Sequence, residues 1–391
     1  MRALVPVLVA LTLWSCSLRP PQDDNISRLE VSILPLDGGP DAAPQPVADR
    51  MAHYHVPGLS VAIIRDDRIV WVSAHGLRTA GTADAVGVST IFQAASLSKT
   101  VTAALAMQLV EAGRLNLDRD VNRDLQSWRV PAAPIPLRSR PVTLAELLSH
   151  RAGLSVPGFP GYPADARLPD LKQVLDGRPP ANTKAVRVQW LPGAELHYSG
   201  GGYEVVQQLL MDATSSPFPL IAEQQVLAPV NMVRSGYWQP LPEDLWDDAA
   251  TAHNAAGTPI PGRARIYPEL AAAGLWSTPV DLAHFAIELS RAWSGRSSML
   301  MKLDTARRML TPQADGPTGL GVFLDGEGAS LRFRQPGDNA GYHALMVAYA
   351  DGRFGAVAMT NGEGGRQLVV EVINNIARLE AWPDFTPLKA E

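Results

Sequence analysis

Phe92-Gln93-Ala94-Ala95-Ser96-Leu97-Ser98-Lys99 opens a run in which Leu97, Val101, Ala104, Leu105, Leu109 and Ala112 recur at helical spacing and Gly113 supplies a C-terminal stop. A helix therefore starts at Ser96. Ser96 and Lys99 share one of its faces, one turn apart, and the Ser96 amide is among the donors that a helix N-terminus leaves unpaired. A hydroxyl at that place can attack a carbonyl carbon while the amide meets the negative charge developing on oxygen. Lys99 can take the serine proton only as a free amine, a state that burial favours. The chain has five lysines, and Lys99 is the one with a serine three residues before it. Taken alone, the pair also reads as a capping serine followed by a solvated lysine.

Working outward, strand signals occur at both ends of the body and helical ones between them. Gly58–Arg65 and Arg68–Ala74 are β-branched runs around Asp66-Asp67, a hairpin signal. Helical patterns follow at Thr143–His150, Tyr203–Thr214 and Pro279–Trp293, separated by Pro- and Gly-rich loops. Strands return at Leu320–Leu324, Ser330–Arg334, Ala344–Tyr349 and Arg353–Thr360, and an amphipathic helix covers about Gln367–Leu379. The expected fold is α+β: an antiparallel sheet of N- and C-terminal strands, flanked by helices, with an inserted mainly helical lobe. The boundaries predicted are a sheet lobe at about 47–90 and 315–391 and a helical lobe at about 91–314, with a cleft between them. Arg334-Gln335-Pro336-Gly337-Asp338-Asn339-Ala340-Gly341-Tyr342 reads as a turn between two strands that places backbone donors beside that cleft.

The whole chain of 391 residues carries a formal charge of −5, which argues against a nucleic-acid partner. Its one cysteine, Cys16, excludes an internal disulfide and a clustered-thiolate zinc site. Cys16 follows Arg2 and the apolar segment Ala3–Trp14, too short for a spanning helix. Leu13-Trp14-Ser15-Cys16 resembles a bacterial lipobox. Residues 1–15 then read as a signal peptide, and 16–46 as a lipidated N-terminus and flexible tether holding residues 47–391 to a membrane of the bacterial cell envelope, facing the periplasm. No His-Glu-x-x-His pair occurs among the eight histidines, so no metal is expected. No Gly-x-Ser-x-Gly elbow occurs either, which removes the α/β-hydrolase alternative.

A tyrosine lies about 100 residues beyond Ser96, in His197-Tyr198-Ser199-Gly200-Gly201-Gly202-Tyr203. Together with Phe92–Lys99, Leu144–Leu154, Ala271–Pro279 and Met359–Gly362, taken in this order, the segment resembles the serine hydrolases of the class C β-lactamase and penicillin-binding-protein superfamily. The resemblance covers nearly the whole body. It implies that Ser96 is acylated, that Lys99 and Tyr198 share the general-base and general-acid work, that the backbone N–H groups of Ser96 and Asp338 form the oxyanion hole, and that no cofactor is needed. Gly200, Gln335 and Gly337 then fall at substrate-binding positions. Two of these depart from the pattern: Gly200 stands where β-lactamases carry Asn, and Gln335-Pro336-Gly337 replaces a motif that starts with Lys or His. Each charged hydrogen bond lost there weakens carboxylate recognition by about 1.5–3 kcal/mol. The expectation is hydrolysis of a small ester, with weak or no β-lactamase activity. The alternatives are a DD-carboxypeptidase or D-amino peptidase acting on cell-wall fragments, and an impaired lipoprotein that binds the cell wall. His343 reads as a packed strand residue or a cleft residue, and the oligomeric state stays open.

Overall fold

A computed structural model of the protein describes residues 32–38, 42–132, 140–314 and 316–390. Cys16 and the signal segment lie outside the described residues. Six strands form one antiparallel sheet: β1 (Gly58–Arg65), β2 (Arg68–Gly76), β5 (Phe323–Asp325), β6 (Arg332–Asn339), β7 (Tyr342–Tyr349) and β8 (Phe354–Thr360). Their order is β2-β1-β8-β7-β6-β5, so β1 pairs with β8 and the chain's two ends close one sheet, as the strand signals predict. The β1–β2 turn is made by Asp66 and Asp67, with φ of 50° and 58°, the conformation that a tight two-residue hairpin requires. A separate two-stranded piece pairs β3 (Phe92–Gln93) with β4 (Trp276–Ser277).

The described residues contain ten α-helices: α1 (Val47–His53), α2 (Leu97–Glu111), α3 (Leu144–Leu148), α4 (Leu171–Asp176), α5 (Gly200–Thr214), α6 (Phe218–Ala222), α7 (Leu270–Ala273), α8 (Pro279–Trp293), α9 (Leu303–Met309) and α10 (Gly365–Leu379). None is long and apolar enough to cross a membrane. Strand β1 is buried on both faces. Leu59, Val61 and Ile63 join α1 and α10 in one core, while Ala62 and Ile64 face the larger core that contains α2. Helix α2 is central to that second core: Ala103, Ala106 and Met107 are buried along with Leu97, Val101, Ala104, Leu105 and Leu109, because its first three turns are enclosed, while Ala112, placed on the predicted stripe, is exposed just past the helix end.

Three expectations change. Helix α8 packs on the sheet, where Ser290 Oγ donates to the Tyr349 carbonyl at 2.9 Å, so the helical lobe does not run unbroken over 91–314. Part of the predicted tether is docked: Ile33 is fully buried and bridges Gln45, Leu36 N–H donates to Glu371, and Arg50 joins Glu371 to Asp37. Residues Arg334 to Asn339 form a strand, with only Ala340 and Gly341 between β6 and β7. Pro336 is tolerated there because β5 covers β6 only from Arg332 to Arg334, leaving Pro336 at a sheet edge where no second ladder needs its missing N–H.

Candidate active site

Ser96 stands at the mouth of α2 as the one partly exposed residue in an otherwise buried run from Ile91 to Thr100. Ala95 before it holds φ of 49° although fully buried, a strained conformation of the kind kept where surrounding structure enforces it. The Ser96 N–H engages no backbone carbonyl of the described residues. Ser98 is turned away: its hydroxyl donates to Ala95 O and accepts from Leu275 N–H, so it ties the strained turn to the segment after α7.

Lys99 is 3% exposed, and its Nζ lies in hydrogen-bond contact with Ser96 Oγ at 2.9 Å and with Ala272 O at 2.8 Å. The rings of Tyr198 and Tyr203 flank it, with centroids 5.2 and 5.8 Å from Nζ. Tyr198 is held between two rings: His150 stacks on it at 4.0 Å and Phe323 lies parallel to it at 6.4 Å. His150 accepts a hydrogen bond from Ser199 N–H through Nδ1, and burial, with the Lys99 charge adding, pushes its pKa down to about 3. It is a neutral acceptor at physiological pH. Ser199 caps α5 by accepting from Gly202 N–H, which draws the three glycines into the helix ahead of the predicted start at Tyr203.

A cavity of about 930 Å³ opens over Ser96 and Tyr198, walled by Phe323, Arg334, Pro336, Asp338 and Arg366 and by the C-terminal segment from Thr386 to Ala390. Strand β6 alternates across it. Arg334, Pro336 and Asp338 face the cavity, whereas Gln335 is 1% exposed, and its amide donates to the Pro336 carbonyl. The structure therefore does not place Gln335 on the cavity wall. Gly337 faces α2 so closely that a Cβ there would lie 2.4 Å from Ala94 O and 3.3 Å from Ser96 N. Asp338 pairs with Arg366 at 2.9 Å and with His343 Nδ1 at 2.5 Å, so His343 is a packed strand residue that braces the wall from below.

Gly200 is buried at the start of α5 and is not among the residues that line the cavity. A Cβ there would meet the Phe159 ring at 2.9 Å and Pro157 O at 3.3 Å, so the space of the missing polar side chain is filled. His150, Phe159, Ala272 and Glu204 are the site's unforeseen members. Glu204, flanked in α5 by Tyr203, Val205 and Val206, was visible in the sequence as an acid within a buried stretch of helix. No group of three His, Cys, Asp or Glu suited to a metal occurs among the described residues.

A helix-borne serine bonded to a buried lysine lies at the seam between an antiparallel sheet and a helical layer, the arrangement of the β-lactamase fold. A family model described as Beta-lactamase matches residues 45–379, and the chain belongs to that family. It is 39% identical over 102 residues to "Penicillin-binding protein 4" of Amycolatopsis lactamdurans, covering 26% of each chain, so it spans about a quarter of that relative's length. It is 22% identical over 312 residues to "D-alanyl-D-alanine-carboxypeptidase/endopeptidase AmpH" of Escherichia coli K12, covering 79% of this chain and 74% of that one. Among solved structures, "EstCE1, a hydrolase with promiscuous acyltransferase activity" superposes with a TM-score of 0.67 at 20% identity, covering 84% of this chain and 96% of the other.

Proposed function

We propose that the protein hydrolyses carboxylic esters through an acyl-enzyme on Ser96. The observation that carries this reading is the Lys99 Nζ to Ser96 Oγ contact of 2.9 Å inside a buried, aromatic-walled pocket that opens to a cavity. Lys99 as the free amine takes the hydroxyl proton while Ser96 Oγ bonds to the carbonyl carbon. The N–H groups of Ser96 and Asp338 receive the oxyanion, and Tyr198, next to Lys99, returns the proton to the leaving oxygen. Water then repeats the steps on the acyl-enzyme. The ester preference rests on Gly200, which offers no amide anchor to a substrate. Likeness in fold to EstCE1 supports the same preference, and likeness to AmpH supports peptide hydrolysis as the second reading.

Intact mass after treatment with a fluorophosphonate should show one adduct, absent in Ser96→Ala, and the same variant should abolish turnover of a p-nitrophenyl acyl ester. No adduct on Ser96 removes the assignment, while acylation by labelled penicillin without ester turnover favours the peptidase. We also propose that Cys16 carries lipid: labelled palmitate should enter the full chain in a bacterial host and be absent from Cys16→Ser, which should move from the membrane to the soluble fraction.

A further inference from the structure

The nitrogen of Lys99 has two hydrogen-bond partners, and only Ser96 Oγ belongs to the reacting set. The other, Ala272 O, lies on α7, a helix of four residues that crosses α2 and α5. So short an element has little stability of its own. Two side chains of α5, one turn apart, hold its first amides: Gln207 Oε1 accepts from Ala271 N–H at 2.9 Å and Glu204 Oε1 accepts from Ala272 N–H at 3.1 Å. Glu204 thus grips the N–H of the residue whose carbonyl grips Lys99.

We propose that Glu204 is a positioning residue of the active site, fixing through Ala272 the acceptor that aims the Lys99 nitrogen at Ser96 Oγ. This rests on the acyl-enzyme reading above. Glu204 is fully buried and its Oε2 has no hydrogen-bond partner among the described residues. Glu269, at the start of α7, is equally buried. The Tyr162 phenol is its neighbour, yet neither carboxylate oxygen has a hydrogen bond of good geometry. Burial and then the Glu269 charge raise the Glu204 pKa well above the usual carboxyl range, with Lys99 acting weakly the other way. The charged and titratable groups around the pair are Lys99 on α2, His150 after α3, Tyr203 on α5, and Tyr162, Tyr198, Tyr237 and Tyr267 from the surrounding loops. Lys99 is the one lysine or arginine among them. Burial and the Glu269 charge both favour the uncharged acid, and Oε1 accepts from the Ala272 N–H at 3.1 Å.

A glutamine keeps an acceptor oxygen for the Ala272 N–H. Glu204→Gln is therefore expected to keep kcat for a p-nitrophenyl ester within about threefold of wild type at pH 7. Glu204→Leu, which frees the Ala272 N–H, is expected to lose roughly 30- to 100-fold in kcat with KM within about twofold, the scale of a reacting group displaced by about 1 Å. Asn375→Leu removes buried hydrogen bonds from α10, remote from the site, and gives the effect of lost stability alone. The proposal is overturned if Glu204→Leu keeps its kcat, if its loss falls on KM, or if Glu204→Gln loses as much as Glu204→Leu. If Glu204→Leu does not fold, the Glu204→Gln comparison decides by itself: a loss of kcat above tenfold in a variant that keeps the wild-type Tm overturns the proposal. The wild-type fluorophosphonate adduct separates the two levels, because its absence removes the acyl-enzyme reading, whereas an adduct with an unchanged Glu204→Leu removes only the role of Glu204.

Discussion

Gly337→Ala tests whether the closeness of β6 to the α2 mouth sets the rate. The new Cβ would lie 2.4 Å from Ala94 O, 2.8 Å from Leu97 Cδ1 and 3.3 Å from Ser96 N. Ordinary contact needs about 3.4 Å, so the backbones must part by about 1 Å. Ala94 has little freedom to yield: it is fully buried, its N–H donates to Leu275 O at 2.8 Å, its carbonyl accepts from Leu97 N–H at 3.1 Å, and the strained Ala95 follows it. The strand must therefore retreat, taking the Asp338 N–H away from the Ser96 N–H. Overpacking of this kind costs about 1–3 kcal/mol of stability, whereas a 1 Å error in a reacting geometry costs about 100-fold in rate. The expected result is a fall of roughly 100-fold in kcat/KM for an activated ester with a drop of only a few degrees in Tm. Gly87→Ala, where the nearest atom to the new Cβ is 3.9 Å away, should change neither. A Gly337→Ala enzyme within threefold of wild type, labelled by fluorophosphonate at the wild-type rate, would refute the two-donor geometry.

Two other substitutions probe the site from opposite sides. Gly200→Asn, which restores the polar residue of the family pattern, should lower Tm and leave labelled penicillin unreactive, because Phe159 occupies the space; combined with Phe159→Ala it should recover the lost stability. Glu269 tests the buried acid. Burial raises its pKa from 4.5 to about 7, so the folded chain keeps a proton that the unfolded chain releases. Its contribution to stability is complete below pH 4.5 and is lost as pH rises through 7, about 3 kcal/mol in all. Denaturant unfolding should show Glu269→Gln gaining on wild type by about that amount between pH 4.5 and 8, and parallel curves across that range would contradict the burial of an unpaired acid.

What was legible in the sequence was local or periodic. The Asp66-Asp67 turn, the α2 stripe and the Ser96–Lys99 spacing need no knowledge of distant residues, and all three stand in the structure. The misplaced features depend on partners far along the chain. Ile33 and Gln45 look like linker because Glu371 and Asn375, which hold their surroundings, are more than 300 residues away. Pro279–Trp293 has the same amphipathic pattern whether it covers a sheet or another helix, and only its bond to Tyr349 separates the two. Pro336, a turn signal in isolation, is a strand residue because β5 ends short of it.

The parity of β6 reverses one inference from composition. In a strand, neighbouring residues face opposite sides, so Gln335 and Gly337 point toward α2 while Arg334, Pro336 and Asp338 meet the cavity. Exchanging Gln335 for the family's lysine would then not restore a cation to the substrate. It would bury an ammonium at a position 1% exposed, where, among the described residues, the present amide donates to the Pro336 carbonyl. An uncompensated buried charge costs about 3–5 kcal/mol, so Gln335→Lys should lower Tm by several degrees or more without raising ester turnover or acylation by labelled penicillin. Gln335→Met, similar in volume and uncharged, should keep both fold and turnover. A Gln335→Lys enzyme with wild-type Tm and a large gain in penicillin acylation would show that the side chain reaches the cavity after all, and that the glutamine is a lost cation rather than a packed residue.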